Sequence, residues 1–342
     1  MSKRFVLSGY FGFKNFGDEA ILSTIISRLK LYKHRITVIS SDPEYTKSKY
    51  SHIRSIKTFN FRDIVGAISK SDCLISGGGS LLQDVTSLKS LIYYLLIIFI
   101  ALFLKKQVLI FAQGIGPISS NFGIFLTKNL LKFANYISVR DIKSHELLTS
   151  WGIDSDLVCD PIFSTQIEHV KKENIVAVQL REFKNLNEDF IDRLAQKITY
   201  EFPNKTIHIY SFQDTIDLEI CNKFKMAINL LNPDINTTVF SDLNDEEIIK
   251  GISASEYLIA MRFHALIIGL ISGAKTMGIN YDIKVEKLAK EFDIPLIELH
   301  NDFNKQFENL KNYDLTSIIS KVNNKHFDWT AFDRAINAND NK

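Results

Sequence analysis

Short apolar runs that end on glycine or a polar turn and pass at once into a helical pattern recur along most of this chain, and this alternation constrains its fold more than any other feature. Residues 4–8, 35–40, 72–76, 107–112 and 136–139 read as strands. Residues 18–29 (DEAILSTIISRL) place Ile21, Leu22, Ile25, Ile26 and Leu29 at helical spacing behind two acidic residues suited to a helix N-terminus, and a later helix stops near Trp151-Gly152. The pattern restarts further on, with strands at 175–180, 206–211, 237–240, 257–260, 275–279 and 296–299. Helices separate them at 187–202, 217–231, from 245, from about 264, and at 283–292. Strand, turn and helix repeated in this order predict α/β architecture, a parallel sheet covered by helices on both faces.

The chain has 342 residues, more than one hydrophobic core usually sustains. The alternation lapses into polar sequence between Phe163 and Asn174, which divides the chain into residues 1–165, residues 174–300 and a polar, helical tail over 301–342 suited to packing back on the first domain. Basic and acidic residues number 41 and 39, well mixed, for a net charge of +2, so no basic stripe invites nucleic acid. Cys73, Cys159 and Cys221 lack metal-ligand or redox spacing and read as small buried hydrophobes in a reducing, cytoplasmic setting. The opening MSKRFVLSGYFG reaches glycine too soon for a signal-peptide core and reads as the first strand.

Residues 91–104 (LIYYLLIIFIALFL) carry no charge and are flanked by Lys89, Lys105 and Lys106. A helix of this length measures about 21 Å, short of the roughly 30 Å hydrocarbon core. It is expected to be a buried crossover helix, with shallow peripheral membrane contact as the lesser alternative.

Polar and glycine residues collect where strands end, which is where open α/β sheets bind ligands. The first cluster, GYFGFKNFGDE (9–19), lacks the G-x-G-x-x-G spacing of a dinucleotide turn and closes on an acidic pair, which argues against NAD. Asn15, Asp18 and Glu19 read either as loop and cap residues or as groups that bind a sugar hydroxyl. The second cluster brings Gly78, Gly79, Ser80, Gln83 and Asp84, and the third Gln113 and Gly114. In the second half, Arg181 ends a strand, while Arg262 and His264 interrupt two strongly apolar runs, YLIAM and ALIIGL. A guanidinium and an imidazole in such company call for a ligand or partner to satisfy them.

The segments 9–22, 76–87, 111–118, 138–148, 159–163 and 260–288 (AMRFHALIIGLISGAKTMGINYDIKVEKL) together resemble the polysaccharide pyruvyl transferase family, in particular its cell-surface-polymer (CsaB-like) branch. The resemblance implies two Rossmann-like domains facing a central cleft, as in GT-B glycosyltransferases. It also implies transfer of a pyruvyl group from phosphoenolpyruvate to two hydroxyls of a sugar, giving a cyclic ketal and phosphate. Arg181 then matches the donor-binding arginine, and Arg262 and His264 match the R-x-H element that grips and activates the donor. Asn15, Asp18 and Glu19 match the acceptor-side loop. Phe11 and Lys14 depart from the tyrosine and glycine common there, and 179–183 lacks the proline or tryptophan that often follows the arginine.

For that chemistry His264 is the candidate for donor-side proton transfer or for assisting phosphate departure, and Asp18 or Glu19 the candidate base. The reaction calls for no cofactor and no metal, and no clustered ligand set suggests one. The implied partners are phosphoenolpyruvate and a glycan acceptor, free or lipid-linked; homo-oligomerisation is left open. A nucleotide-sugar glycosyltransferase of GT-B architecture is the first alternative reading, and a non-catalytic glycan-binding protein the second.

Overall fold

The computed structural model describes residues 2–85, 87–167, 170–183, 186–325 and 327–338. Its contacts divide the chain into one unit of residues 1–164 with 327–342, and a second of residues 165–326. Residues 168 and 169 of the expected polar boundary, residue 86 of the second glycine cluster and the last four residues of the tail lie outside the described residues.

The first unit alternates β1 (Arg4–Ser8), α1 (Phe16–Lys30), β2 (Arg35–Ser40), α2 (Pro43–Lys49), β3 (Arg54–Lys57), α3 (Phe61–Ser69), β4 (Cys73–Gly77), α4 (Leu88–Phe103), β5 (Gln107–Gln113), α5 (Asn121–Leu131), β6 (Tyr136–Val139), α6 (Ile142–Ser150) and β7 (Asp156–Leu157). The second runs β8 (Glu173–Gln179), α7 (Glu188–Glu201), β9 (Thr206–Tyr210), α8 (Asp214–Leu231), β10 (Thr237–Phe240), α9 (Asp245–Ala254), β11 (Ser255–Ala260), α10 (Phe263–Ile271), β12 (Lys275–Asn280), α11 (Ile283–Phe292), β13 (Leu296–Glu298), α12 (Asn304–Lys311) and α13 (Leu315–Asn324). The last helix, α14 (Thr330–Asn337), returns to the first unit.

Every strand pairing is parallel. The sheet orders are β3-β2-β1-β4-β5-β6-β7 and β10-β9-β8-β11-β12-β13. The central strands are almost continuously apolar because helices bury both of their faces: β5 (QVLIFAQ) is buried at all seven positions. Its Val108 and Ile110 join a cluster with Ile64, Leu95, Ile98 and Leu148 of α3, α4 and α6. Phe111, on the opposite face, meets the rings of Phe327, Trp329 and Phe332 at 5.5, 5.4 and 4.8 Å. That aromatic seat, with the Arg28–Asp333 ion pair, fixes α14 in the first unit. Helices α12 and α13 stay with the second unit, so of the tail over 301–342 only the part from Phe327 onward packs on the first domain.

Polar side chains start the helices as capping chemistry requires. Asp42, Asn60, Ser120, Asp141 and Asn187 each accept an amide of the first turn, and Asn244 and Glu247 form a reciprocal capping box. Helix α4 begins at Leu88, a turn ahead of the expected Leu91. It is buried on one side only, where Leu91, Tyr94, Leu95 and Ile98 face the sheet.

Candidate functional site

In both sheets the first strand lies between the second and the fourth, so the chain winds outward in opposite directions from β1/β4 and from β8/β11. Each such switch leaves a crevice beyond the carboxyl ends of the two strands. The loops singled out by the sequence fall at these two places. The segments after β1 and β4 carry Asn15, Asp18, Glu19 and Gly78–Asp84; those after β8 and β11 carry Arg181, Arg262 and His264.

In the first unit the loop after β1 is held from within. Buried Glu19 accepts the Gly12 amide at 2.7 Å through Oε1. Gly12 has φ +77°, and a Cβ there would stand 2.0 Å from Ser40 Oγ, so no larger residue fits. Asn15 opens α1 through its backbone, while its side chain donates to Asp18 Oδ2 at 2.6 Å. Asp18 in turn lies against the loop after β4: Gly79 has φ +59°, and a Cβ on it would come within 2.7 Å of Asp18 Oδ1. The triple glycine is thus shaped around the Asp18 carboxylate, with Gly78 also at positive φ. Sequence reasoning missed Tyr94 of α4. Burial first, and the negative charge of Asp18 second, push its phenol well above the ordinary range.

The loop after β5 is stitched to the loop after β4. The Gly114 amide donates to the Gly79 carbonyl (3.1 Å) and the Gly116 amide to the Leu82 carbonyl (2.8 Å). Gly114 is needed for proximity, since a Cβ would meet Ser80 Oγ at 2.4 Å. Gln113 is fully buried, with Nε2 donating to Ser76 Oγ at 2.9 Å; its Oε1 has no partner among the described residues. Gln83 is half-buried beside these turns. Asp84, expected to line the acceptor side, is otherwise engaged. Its carboxylate accepts the Ser119 amide at 2.8 and 2.9 Å and the Ser120 amide at 2.8 Å, and those hydrogen bonds hold it below the usual carboxylate range. Asp84 orders the entry to α5.

In the second unit Gln179 and Ala260 pair across β8 and β11, so Arg181 and Arg262 follow in equivalent register. The two strand ends are tied together: the Arg181 amide donates to Met261 Sδ (3.3 Å), and the Arg262 amide donates to Gln179 Oε1 (2.8 Å). Their side chains then do different things. Arg262 is 7% exposed and forks onto fully buried Asp217, Nε to Oδ2 at 2.9 Å and Nη2 to Oδ1 at 2.7 Å. Asp217 Oδ2 also accepts the Phe212 and Gln213 amides. The counter-charge that its burial calls for is thus supplied at least in part from within the fold, by Asp217. Arg181 is half-buried, with its guanidinium carbon 5.7 Å from the centre of the Tyr281 ring, and among the described residues it has no carboxylate partner. His264, half-buried, stands in the first turn of α10, at the positive end of the helix dipole.

The sequence profile of the polysaccharide pyruvyl transferases matches residues 15–283, which span both switch points. The chain belongs to the polysaccharide pyruvyl transferase family. Comparison with curated protein sequences finds no match. Among solved structures, HepE of Anabaena in complex with UDP and glucose is 12% identical, with a TM-score of 0.63 over 99% of this chain and 100% of that one. The UDP-GlcNAc 2-epimerase of Neisseria meningitidis, bound to UDP-GlcNAc, is 11% identical with a TM-score of 0.64 over 94% of each chain. MurG of Acinetobacter baumannii is 12% identical with a TM-score of 0.56, over 99% of this chain and 100% of that one. At such identities the likeness is one of fold, that of GT-B glycosyltransferases and related epimerases. No group of three His, Cys, Asp or Glu side chains among the described residues is arranged to hold a metal ion.

Proposed function

We propose that this pyruvyl transferase uses phosphoenolpyruvate as donor and makes a cyclic ketal on two hydroxyls of one sugar in a cell-surface polysaccharide or its lipid-linked precursor. The observation that carries the reading is Arg181, a half-buried guanidinium without a carboxylate partner among the described residues, at a switch point that also presents the N-terminus of α10. Arginine's planar fork suits a carboxylate or phosphate, and helix amides suit the remaining anionic oxygens. The donor is small and highly charged, and this cationic side of the second unit matches it.

The reaction balances with the groups present. A proton added to C3 of the enol makes C2 electrophilic, and the first sugar hydroxyl adds to C2 as a base accepts its proton. The second hydroxyl then forms the other C2–O bond while the C2–O bond to phosphate breaks. Of the two hydroxyl protons, one balances the new methyl group and the other leaves with phosphate. His264 is the donor-side acid in this reading, and Arg181 holds the anion. Asp18, abutted by the glycine loop, is a better candidate base than Glu19, whose Oε1 is committed to Gly12. Arg262, neutralised by Asp217, positions the start of α10 and does not grip the ligand itself.

Isothermal titration with phosphoenolpyruvate, UDP-glucose and GDP-mannose tests the donor. Binding of phosphoenolpyruvate at micromolar to millimolar concentration, lost about 30-fold or more in Arg181→Met with unchanged melting temperature, is expected. Saturable binding of a nucleotide sugar with none of phosphoenolpyruvate would establish the glycosyltransferase alternative. In phosphoenolpyruvate-dependent phosphate release with a glycan panel, His264→Gln should lower kcat by about 10²- to 10⁴-fold with smaller change in donor affinity. Full phosphate release by folded His264→Gln would remove the imidazole from the mechanism.

A further inference from the structure

The outer face of α4 carries a row of large apolar side chains that the described residues leave partly exposed. Leu88, Ile92, Leu96, Phe99 and Phe103 are 37% to 74% exposed, and their spacing of four, four, three and four residues keeps them on one side of the helix. The opposite side is the buried one that faces the sheet. Helix α5 packs alongside through Gly123, where a Cβ would stand 2.9 Å from Leu91 Cδ2. It adds exposed Phe122 and Phe125, and Phe133 follows just beyond its end. With large apolar side chains burying about 150–250 Å² each when covered, the α4 row alone leaves on the order of 500 Å² open, at the upper end of what soluble monomers expose without a partner.

The charge around this face says what covers it. Between Asp84 and Asp141 the sequence has no Asp or Glu at all, although the chain contains 39 acidic residues in 342. The same stretch, up to Val139, contains Lys89, Lys105, Lys106, Lys128 and Lys132 and no arginine. Five positive charges and no negative ones make +5, against +2 for the whole chain. Lys89, Lys105 and Lys132 are exposed, and Lys105 directly follows the end of the apolar row. No helix is long and apolar enough to cross a membrane among the described residues. An apolar row edged by lysines, on a helix too short to span, is the pattern of an element that lies in the headgroup layer. A second copy of the chain is disfavoured as the cover, because a symmetric pairing of this face would bring together the exposed lysines at the ends of α4 and α5 of both copies.

We propose that the α4–α5 face docks the protein on an anionic lipid surface, with Leu88, Ile92, Leu96, Phe99 and Phe103 in the headgroup layer and the lysines on lipid phosphates. The proposal is independent of the donor chemistry, because it is read by partitioning and not by turnover. Purified protein would be floated with phosphatidylcholine vesicles with or without a one-third share of phosphatidylglycerol, at about 0.1 M salt, where the Debye length is about 10 Å. Partitioning onto the anionic vesicles should exceed that onto the neutral ones at least tenfold. The exposed-site double variant Phe99→Ser/Phe103→Ser should lose at least tenfold on the anionic vesicles. Lys105→Gln/Lys106→Gln should lose about tenfold there and change little on neutral vesicles. Circular dichroism and melting temperature, unchanged in both variants, show that the fold is kept. The proposal is overturned if the parent protein stays unbound with anionic vesicles, or if both variants partition as the parent does. It is equally overturned if sedimentation velocity reveals a dimer that dissociates on Phe99→Ser/Phe103→Ser, because the face then belongs to a second copy.

Discussion

Replacing Asp217 by asparagine should strongly destabilise the second unit. Asp217 Oδ2 accepts three donors, the Phe212 and Gln213 amides and Arg262 Nε, while Oδ1 accepts Arg262 Nη2. An asparagine can keep its oxygen at the Oδ2 position, but its amide nitrogen then faces Nη2, donor against donor. The Arg262 charge, in a side chain 9% exposed, is left without its counter-ion. Breaking a buried pair from one side costs about 3–5 kcal/mol, a large share of a domain's usual 5–15 kcal/mol. At about 2–4 °C per kcal/mol for a unit of this size, the second-unit transition should fall by roughly 6–20 °C in differential scanning calorimetry.

The double variant Arg262→Met/Asp217→Leu removes both charges at once and should recover most of that loss, since well-packed apolar pairs of similar volume often match a buried ion pair. A shift below about 2 °C in Asp217→Asn, together with loss of phosphoenolpyruvate affinity in a fully stable Arg262→Met, would refute the reasoning. Arg262 would then serve the ligand and Asp217 would be incidental.

Three further outcomes follow from the structure. Gly79→Ala should destabilise by about 1–3 kcal/mol in urea denaturation, because φ is +59° and the new methyl group presses on Asp18 Oδ1; Gly66→Ala, in α3 with open space around it, should not. In native protein at pH 8 one thiol should react promptly with Ellman's reagent, half-buried Cys159, because burial holds the Cys73 thiol well above its usual range and pushes Cys221 up to about 12. Burial lowers Lys172 to about 8, so the folded state disfavours its charge. That penalty is full below pH 8, shrinks as pH rises and is gone above the unfolded value near 10.5, so the stability gained in Lys172→Met should be largest at neutral pH and disappear by about pH 10.5.

Much of the fold was legible because a doubly wound sheet has a strong signature. Its central strands are buried on both faces and so are nearly uniformly apolar, and its helices start on polar caps. Strand β3 escaped notice for the converse reason: RSIK is short, its ends are charged and exposed, and Ile56 is its one fully buried side chain. The uncharged stretch 91–104 was legible as a helix but not as a half-exposed one, since an all-apolar sequence has no polar face to betray which side meets solvent. The tail was legible as helical, but not that α12 and α13 stay with the second unit, because the Phe111 seat for Phe327, Trp329 and Phe332 joins residues more than two hundred positions apart.

The site divided along the same physical line. Glycines and polar residues at strand ends could be read singly, and the strand order gathers them at two switch points that no local pattern specifies. What the sequence concealed was pairing at a distance. A buried arginine between apolar runs does require a counter-charge, and the structure supplies one from another helix, through Asp217. Asp217, like other acidic residues near a helix start, looks there like ordinary dipole compensation. Asp84 has a distant task of the same kind, since its carboxylate serves the Ser119 and Ser120 amides. Arg181 is the reverse case. At a strand end it had the least to distinguish it from a surface charge, yet among Arg181, Arg262 and the acidic side chains near them it is the cation whose fork no carboxylate occupies. That openness, which only coordinates reveal, is what supports the proposed role that the resemblance had already implied for Arg181.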